Sequence, residues 1–419
     1  MNRKIIKTGK IASRPRQRGA ILVIFTVGML AIIVMAGLAL DMSHAMLNKS
    51  RLQNTVDAAA LTAAKTLGQT ASTNDARAAA LALFADNANT AGNGEMAADI
   101  NPGEVVVEFS ATLEPFSVGS SPAQFVRVRV ENFTLGSWLI QLIGFDEKIV
   151  RASAVSGPSP VLGQACDIVP LIVCGDPDAG GPLWGYEPDD ISVLKGSSKS
   201  GSQAGPIGPG NFQLARLGGS GAAVVRDNLA GGFEGCAVVG DNIPTEPGNA
   251  VGPVAQGLNT RLNKYTGPVS RTTYPPDVVV EGQTGTGLSY DAQTKVVKLN
   301  GRVVNDANDL AFNYDDYKSR VAAGNYDVSP SMGGAFNRRN LSVVIADCEG
   351  KKTGQTDLPI LGLGCYFMLQ EVKQSGTEAE VYGQFIEDCE ASGNVGPNPV
   401  ETEGPTKIQL YKDADSGDS

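Results

Sequence analysis

Residues Ala20–Leu40 read AILVIFTVGMLAIIVMAGLAL, an unbroken stretch without a charged side chain. A helix rises 1.5 Å per residue, so this run spans about 31 Å, the thickness of a bilayer's hydrocarbon core. Charge is distributed unequally around it. Met1–Arg18 carries Arg3, Lys4, Lys7, Lys10, Arg14, Arg16 and Arg18 and no acid. Cations packed against one end of a span keep that end in the cytoplasm, so the expected orientation is N-in, C-out. Ala20, Ile24, Gly28, Ala36 and Leu40 mark the expected transmembrane segment. A cleaved signal peptide is the competing reading, because Gly37-Leu38-Ala39 is a small-x-small site. The apolar run exceeds the usual signal-peptide core of about 7–15 residues and passes straight into a further helical pattern, which favours a retained anchor.

The rest of the chain is acidic. The whole sequence has 34 Lys+Arg and 44 Asp+Glu; without the seven tail cations, 27 face 44, a net −17. Such a body does not suit nucleic acid, which needs cations against phosphate. Of the 50 glycines, 24 lie between Gly163 and Gly287, which predicts short strands and tight turns there, or a partly disordered surface segment. Cys166, Cys174, Cys236, Cys348, Cys365 and Cys389 all follow the span. An even count in an exported segment reads as disulfides, with free buried thiols as the alternative. Six cysteines allow 15 connectivities. Cys166 with Cys174, and Cys348 with Cys365, are close enough in sequence for local bridges. No C-x-x-C spacing occurs and His44 is the single histidine, which argues against a zinc site.

Beyond Leu40 the helical pattern continues. Leu52, Val56, Ala59, Ala60, Ala63 and Leu67 fall on one face of a 3.6-residue helix, with Gly68 as the stop. The expectation is a stalk, its Ala-rich face packed on partner helices or on its own domain. A second Ala-rich helix is expected over Thr73–Asn89, capped by Thr73 or Asn74. The period then changes to two. Val105–Phe109, Phe125–Val130 and Lys148–Val155 read as strands, with a short apolar helix over Leu135–Ile143. Gly157-Pro158-Ser159-Pro160 ends this small α+β module. A helix is expected over Pro253–Leu262, and strands over Val296–Leu299, Leu341–Ala346, Cys365–Glu371 and Glu380–Ile386. The acidic tail, Asp413–Ser419, is expected to fray.

The fold class expected is therefore α+β, in five parts. These are a basic tail (1–18), a transmembrane helix and stalk (19–68), a small α+β module (69–157), a β-rich, Gly/Pro-rich domain holding the cysteines (158–412), and the acidic tail (413–419).

Catalytic motifs are weak. Asp327-Val328-Ser329-Pro330-Ser331 spells D-x-S-x-S, whose oxygens could serve Mg²⁺. It follows Ala322-Ala323-Gly324-Asn325-Tyr326 where an apolar strand should stand, so a Ser/Pro turn is favoured. Asp413-Ala414-Asp415-Ser416-Gly417-Asp418 lacks the spacing of a calcium loop. No G-x-S-x-G occurs, and His44 sits at the membrane exit, which leaves no serine triad. G-x-x-x-x-G-K-[ST] is absent. Gly285-Thr286-Gly287 and Gly362-Leu363-Gly364 lack the third glycine of a dinucleotide fingerprint.

Arg18-Gly19-Ala20, Leu38-Ala39-Leu40-Asp41 and the run Ser50–Leu61 (SRLQNTVDAAAL) resemble the N-terminal module of TadE/TadG-like proteins of the Flp (Tad) pilus-assembly system. Arg51, Leu52, Gln53, Asn54, Asp57, Ala58, Ala59 and Ala60 carry that motif. Thr245–Asn249, Val251–Val254 and Gly257–Arg261 resemble TadG-like proteins that lack a von Willebrand domain. The resemblance implies a single-pass bacterial inner-membrane protein with a periplasmic body. Its expected role is non-enzymatic: helping to assemble or anchor an adhesive pilus, with pilus subunits or other assembly proteins as partners. No catalytic residue, cofactor, metal or small-molecule substrate is implied. A pilin-type leader, cut after Gly19, would place Glu where Ile24 stands, so retention in the membrane is expected. The alternative is a membrane-anchored periplasmic binding or adhesin-like protein, metal-dependent through Asp327, Ser329 and Ser331.

Overall fold

The computed structural model describes residues 20–179, 183–196, 204–205, 207–284, 287–291, 294, 296–350, 353–374, 376, 378–395 and 404–417. The basic tail, Gly285-Thr286 and Asp418-Ser419 lie outside the described residues. The fold is α+β, with a long apolar N-terminal helix and several sheets.

Helix α1 (Ala20–Thr70) runs unbroken for 51 residues, about 77 Å. From Ile21 to Leu40 every residue but Gly37 is exposed. Its second half buries Leu52, Val56, Ala59, Ala60, Ala63 and Leu67, the face its periodicity predicts. It is not a free stalk. The small side chains let α2 (Thr73–Ala88) lie against it through Ala76, Ala80 and Phe84, and let a sheet close over the remainder. The α2 cap is Ser72, one residue earlier than expected, whose hydroxyl accepts from the Asp75 amide at 3.2 Å. A short helix α3 (Gly94–Asp99) follows.

Three antiparallel strands complete this module: β1 (Val105–Ser110), β2 (Phe125–Gly136) and β3 (Glu147–Pro158). Val105, Val107, Val126, Val128, Ala152 and Ala154 are buried against the helices. The expected Leu135–Ile143 helix reduces to a 3₁₀ turn at Ile140–Ile143, because Leu135 and Gly136 extend β2. A fourth strand comes from the other end of the chain. Ile408–Tyr411 pairs antiparallel with β3, placing Leu410 opposite Ser156. Gly157, which reads as a break, stays in the strand opposite Gln409, and the Phe125 ring occupies the space a Cβ there would need, 2.3 Å away.

The C-terminal body is built on a mixed sheet. Its strands β4 (Ile172–Gly175), β5 (Ile191–Lys195), β6 (Asn340–Asp347), β7 (Asp357–Met368) and β8 (Val381–Ile386) lie in the order β4-β6-β7-β8-β5, with Asn242–Pro244 paired to the start of β7. Only the β4–β6 pair is parallel in this set. Both faces are covered, so the strands read as continuous apolar runs. Leu341, Val343, Tyr366 and Met368 pack with α4 (Ala222–Gly231) and α5 (Val251–Leu258). Cys365, Phe367, Tyr382 and Ile386 pack with α6 (Tyr314–Ala322) and a small sheet of Leu288–Asp291, Val296–Leu299 and Arg302–Val304. The Pro253–Leu262 helix starts at Val251 and tightens to 3₁₀ over Asn259–Leu262.

The six cysteines form three bridges, Cys166–Cys236, Cys174–Cys348 and Cys365–Cys389. Neither local pairing is made. Strand pairing decides this: Cys166 lies opposite Cys236 across two antiparallel strands, and β4 beside β6 sets Cys174 opposite Ala346, two residues from Cys348.

Buried cations tie the Gly/Pro-rich loops to this sheet. Arg339 is fully buried and donates to the carbonyls of Met368 (2.7 Å), Glu281 (2.6 Å) and Val279 (3.2 Å), while its guanidinium stacks on Phe367. Arg261 donates to the carbonyls of Leu229 and Arg338. Lys195, also buried, donates to Asn249 Oδ1 (2.6 Å) and to the carbonyls of Gly196 (3.0 Å) and Ala379 (3.2 Å). Burial pulls its ammonium down to about 7, against the attraction of Glu380.

The acidic tail does not fray over its described part. Arg127, buried in β2, donates to Glu108 (2.8 Å) and Asp415 (2.8 Å) and lies 3.4 Å from Asp413. Asp413 also accepts from the Ser153 hydroxyl and is itself buried.

Arg127→Met removes the buried cation that faces Glu108, Asp413 and Asp415 and should cost about 3 kcal/mol in urea unfolding. Lys65→Ala, at the exposed 3.5 Å pair with Glu390, should cost less than about 1 kcal/mol. The folded-state pKa of Lys195 lies below its unfolded value, so the unfolded chain binds the extra proton between about pH 7 and 10. The Lys195 contribution to stability therefore rises with pH through that window. Thermal unfolding of the wild type relative to Lys195→Met should shift in the wild type's favour from pH 7 towards 10. A flat difference refutes the buried ammonium.

Candidate functional site

The apolar run of α1 ends at Leu40, and the next residue is an acid. Asp41 is fully buried. Its carboxylate accepts from the backbone amides of Trp138 (2.7 Å), Leu139 (2.9 Å) and Ile140 (2.8 Å). Lys148 Nζ lies 3.0 Å from Oδ1 and donates to the Asp41 carbonyl at 3.1 Å. Successive amides at the start of a turn form a concave donor set that suits an anion. All these donors come from β3 or from the loop between β2 and β3. That loop folds back on α1 as a collar, closed at its base by Ser137 N–H donating to the Asp146 carbonyl at 2.8 Å.

Gly37 lets the collar come close. A Cβ at that position would meet Leu139 Cβ at 2.8 Å. The residue that reads as part of a small-x-small site is thus a contact point for the loop. His44 stacks on Trp138 with ring centroids 4.2 Å apart. Its Nε2 is 2.7 Å from Glu95 Oε2, which also accepts from Asn48 Nδ2 at 2.9 Å. Glu95 belongs to α3, so helix, loop and α3 are joined at one level. Asp41 and His44 carry no catalytic spacing in the sequence; an acid directly at the end of an apolar span is the signal that points here.

The motif residues lie further along α1. Leu52, Ala59 and Ala60 are buried and Ala58 is half-buried. Arg51 donates to the Gly92 carbonyl, and Gln53 to the Ser153 carbonyl (2.9 Å) and to Asp57 (2.7 Å). Asn54 is exposed. The Ala-rich face therefore packs on its own module, and the motif's polar residues fasten α1 to β3 and to the segment before α3. In the apolar segment, which begins at Ala20, Ile24, Ala36 and Leu40 are exposed, and Gly28 has open space around it.

The D-x-S-x-S loop is otherwise engaged. Asp327 accepts from Arg320 (2.7 Å) and from the Val280 amide (2.8 Å), and Ser329 and Ser331 lie 2.9 Å apart at a 3₁₀ turn. Among the described residues, no cluster of three or more His, Cys, Asp or Glu could hold a metal ion.

Asp41→Ala would strand three buried amides and take the carboxylate away from Lys148, a loss of about 3 kcal/mol. The collar should then become cleavable by chymotrypsin at Trp138 or Phe145 in detergent-solubilised protein, while the wild type resists. Equal cleavage of both would refute the clamp.

Residues 19–66 match the family model described as "Putative Flp pilus-assembly TadE/G-like", and residues 62–156 match the one described as "Putative Tad-like Flp pilus-assembly". No curated protein and no solved structure matches the chain. The two matched segments run from the start of α1 almost to the end of β3, the same residues that build the helix, collar and sheet. The first third of the chain is thus similar to the TadE/G-like and Tad-like Flp pilus-assembly families.

Proposed function

We propose that the protein is a non-enzymatic, structural component of a Tad-type (Flp, type IVb) pilus-assembly machine. It is held N-in/C-out in the bacterial inner membrane with its body in the periplasm, where it contacts pilus subunits or other assembly proteins. One observation carries this reading: a single unbroken helix is both the apolar span and the spine of the Tad module. A load on the body would pass directly to the membrane segment with no hinge between them. The polar groups at the foot of the module support the same reading, because they hold elements together. The adhesin alternative would need Asp327 free to take a metal, and Arg320 with the Val280 amide already engages both its oxygens.

A chromosomal deletion should abolish or sharply reduce surface Flp pili counted by electron microscopy, and the full chain supplied in trans should restore them. Asp327→Ala should restore them equally well. An unchanged pilus count in the deletion strain refutes the assembly role. Failure of Asp327→Ala alone, with the variant present at normal level, favours the adhesin.

A further inference from the structure

We propose that the β2–β3 collar is a second membrane contact, seated in the periplasmic leaflet of the same bilayer beside α1; this rests on the anchored reading above. The collar turns large apolar side chains outward. Trp138 is 53 % exposed, Phe145 61 % and Ile149, at the start of β3, 59 %. Single exposed apolar residues need no explanation. These three are grouped on one loop and its flank, and the loop is fixed to a helix whose own surface is apolar.

The depth of the loop follows from its contacts. Leu139 packs on Gly37, three residues inside the apolar run, about 4.5 Å below its end at Leu40. If residues 20–40 fill the hydrocarbon core, Leu139 lies at the level of its outer edge. Trp138 and Phe145, on the same short loop, then fall in the interfacial zone. Tryptophan favours that zone because its apolar ring and its indole N–H are both accommodated there, and Phe145 adds apolar surface beside it.

Electrostatics points the same way. A carboxylate at the end of a span is costly next to lipid unless its charge is met. The collar meets it with three amides and Lys148, and covers it completely. The same fold thus hides the acid from lipid and presents aromatic and aliphatic groups to it. Asp146 and Glu147 are exposed beside Phe145 and sit on the water side in this arrangement. The occupant assigned here is lipid and not a partner protein, because the patch is continuous with the exposed face of the membrane-spanning helix.

The test uses the full chain with Trp184→Phe, which leaves Trp138 as the only tryptophan, reconstituted in phosphatidylcholine vesicles. Lipids brominated near the headgroup end of the acyl chain should cause a marked loss of Trp138 emission relative to unbrominated lipid. Bromines near the chain ends should cause a smaller loss. A second reporter, Phe145→Trp in a Trp138→Phe, Trp184→Phe background, should show the same order. If the chain floats with the vesicles and both reporters keep their full emission, the collar contact is overturned and the anchor stands. If the chain does not float with the vesicles, both readings fall.

Discussion

The N-terminal module depends on how closely other elements can approach one face of α1. Ala59, Ala60, Ala63 and Ala64 leave that face nearly flat, and α2 answers with Ala76 and Ala80. Leucines at these positions would overpack the contact, typically by about 1–3 kcal/mol. The larger residues stand at intervals: Leu52, Val56 and Leu67 each remove a full apolar side chain from water, worth about 1.5–3 kcal/mol apiece. Close approach in turn lets Gln53 reach the backbone of β3, which lies behind the helix. The polar half of the family motif works only because the alanine half brings the sheet within reach.

Closure of the module and of the body is non-local. The fourth strand of the first sheet arrives from more than 250 residues away, and Arg127 locks the tail beyond it. In the body, β6, β7 and β8 pair with strands far upstream, and two of the three disulfides join segments separated by 70 and 174 residues. Long stretches of Gly- and Pro-rich chain lie between these strands, with little regular structure of their own. Their carbonyls are met by Arg261, Arg339 and Lys195, which donate several hydrogen bonds each from buried positions. An arginine with five donors in a fixed plane suits this use, because it can satisfy several carbonyls at once.

Local periodicity made α1, α2 and the strands of the first sheet legible. Their apolar residues recur at 3.6 or 2, and each element packs one face. α6 was also within reach, since Asn313 and Asp316 form a capping box, whereas α4 has Gly221 at its N-cap with no side-chain cap and sits in a glycine-rich stretch. The disulfide pairing was not legible, because it depends on which strands neighbour one another and not on spacing along the chain. The docked tail was hidden for a related reason. Acidic residues at a terminus read as solvated until a buried Arg127 is known to face them. The collar lay between these cases: Asp41 at the end of an apolar span and the run WLI at Trp138–Ile140 are each visible, but only the fold joins them.

That junction determines how the body stands on the apolar helix. A helix alone would fix the distance of the body from the apolar segment and leave its tilt free. The Asp41 clamp adds a second point, to one side of the helix axis, and the Glu95–His44–Asn48 contacts tie α3 to the same level. Two points joined by a rigid helix define a direction as well as a height. The strand Ile408–Tyr411 then attaches the C-terminal body to β3, the strand that begins at the collar. Orientation set at the end of the apolar run is in this way carried along β3 to the domain that holds the three disulfides. That fixed geometry is built from a carboxylate, three amides and a glycine.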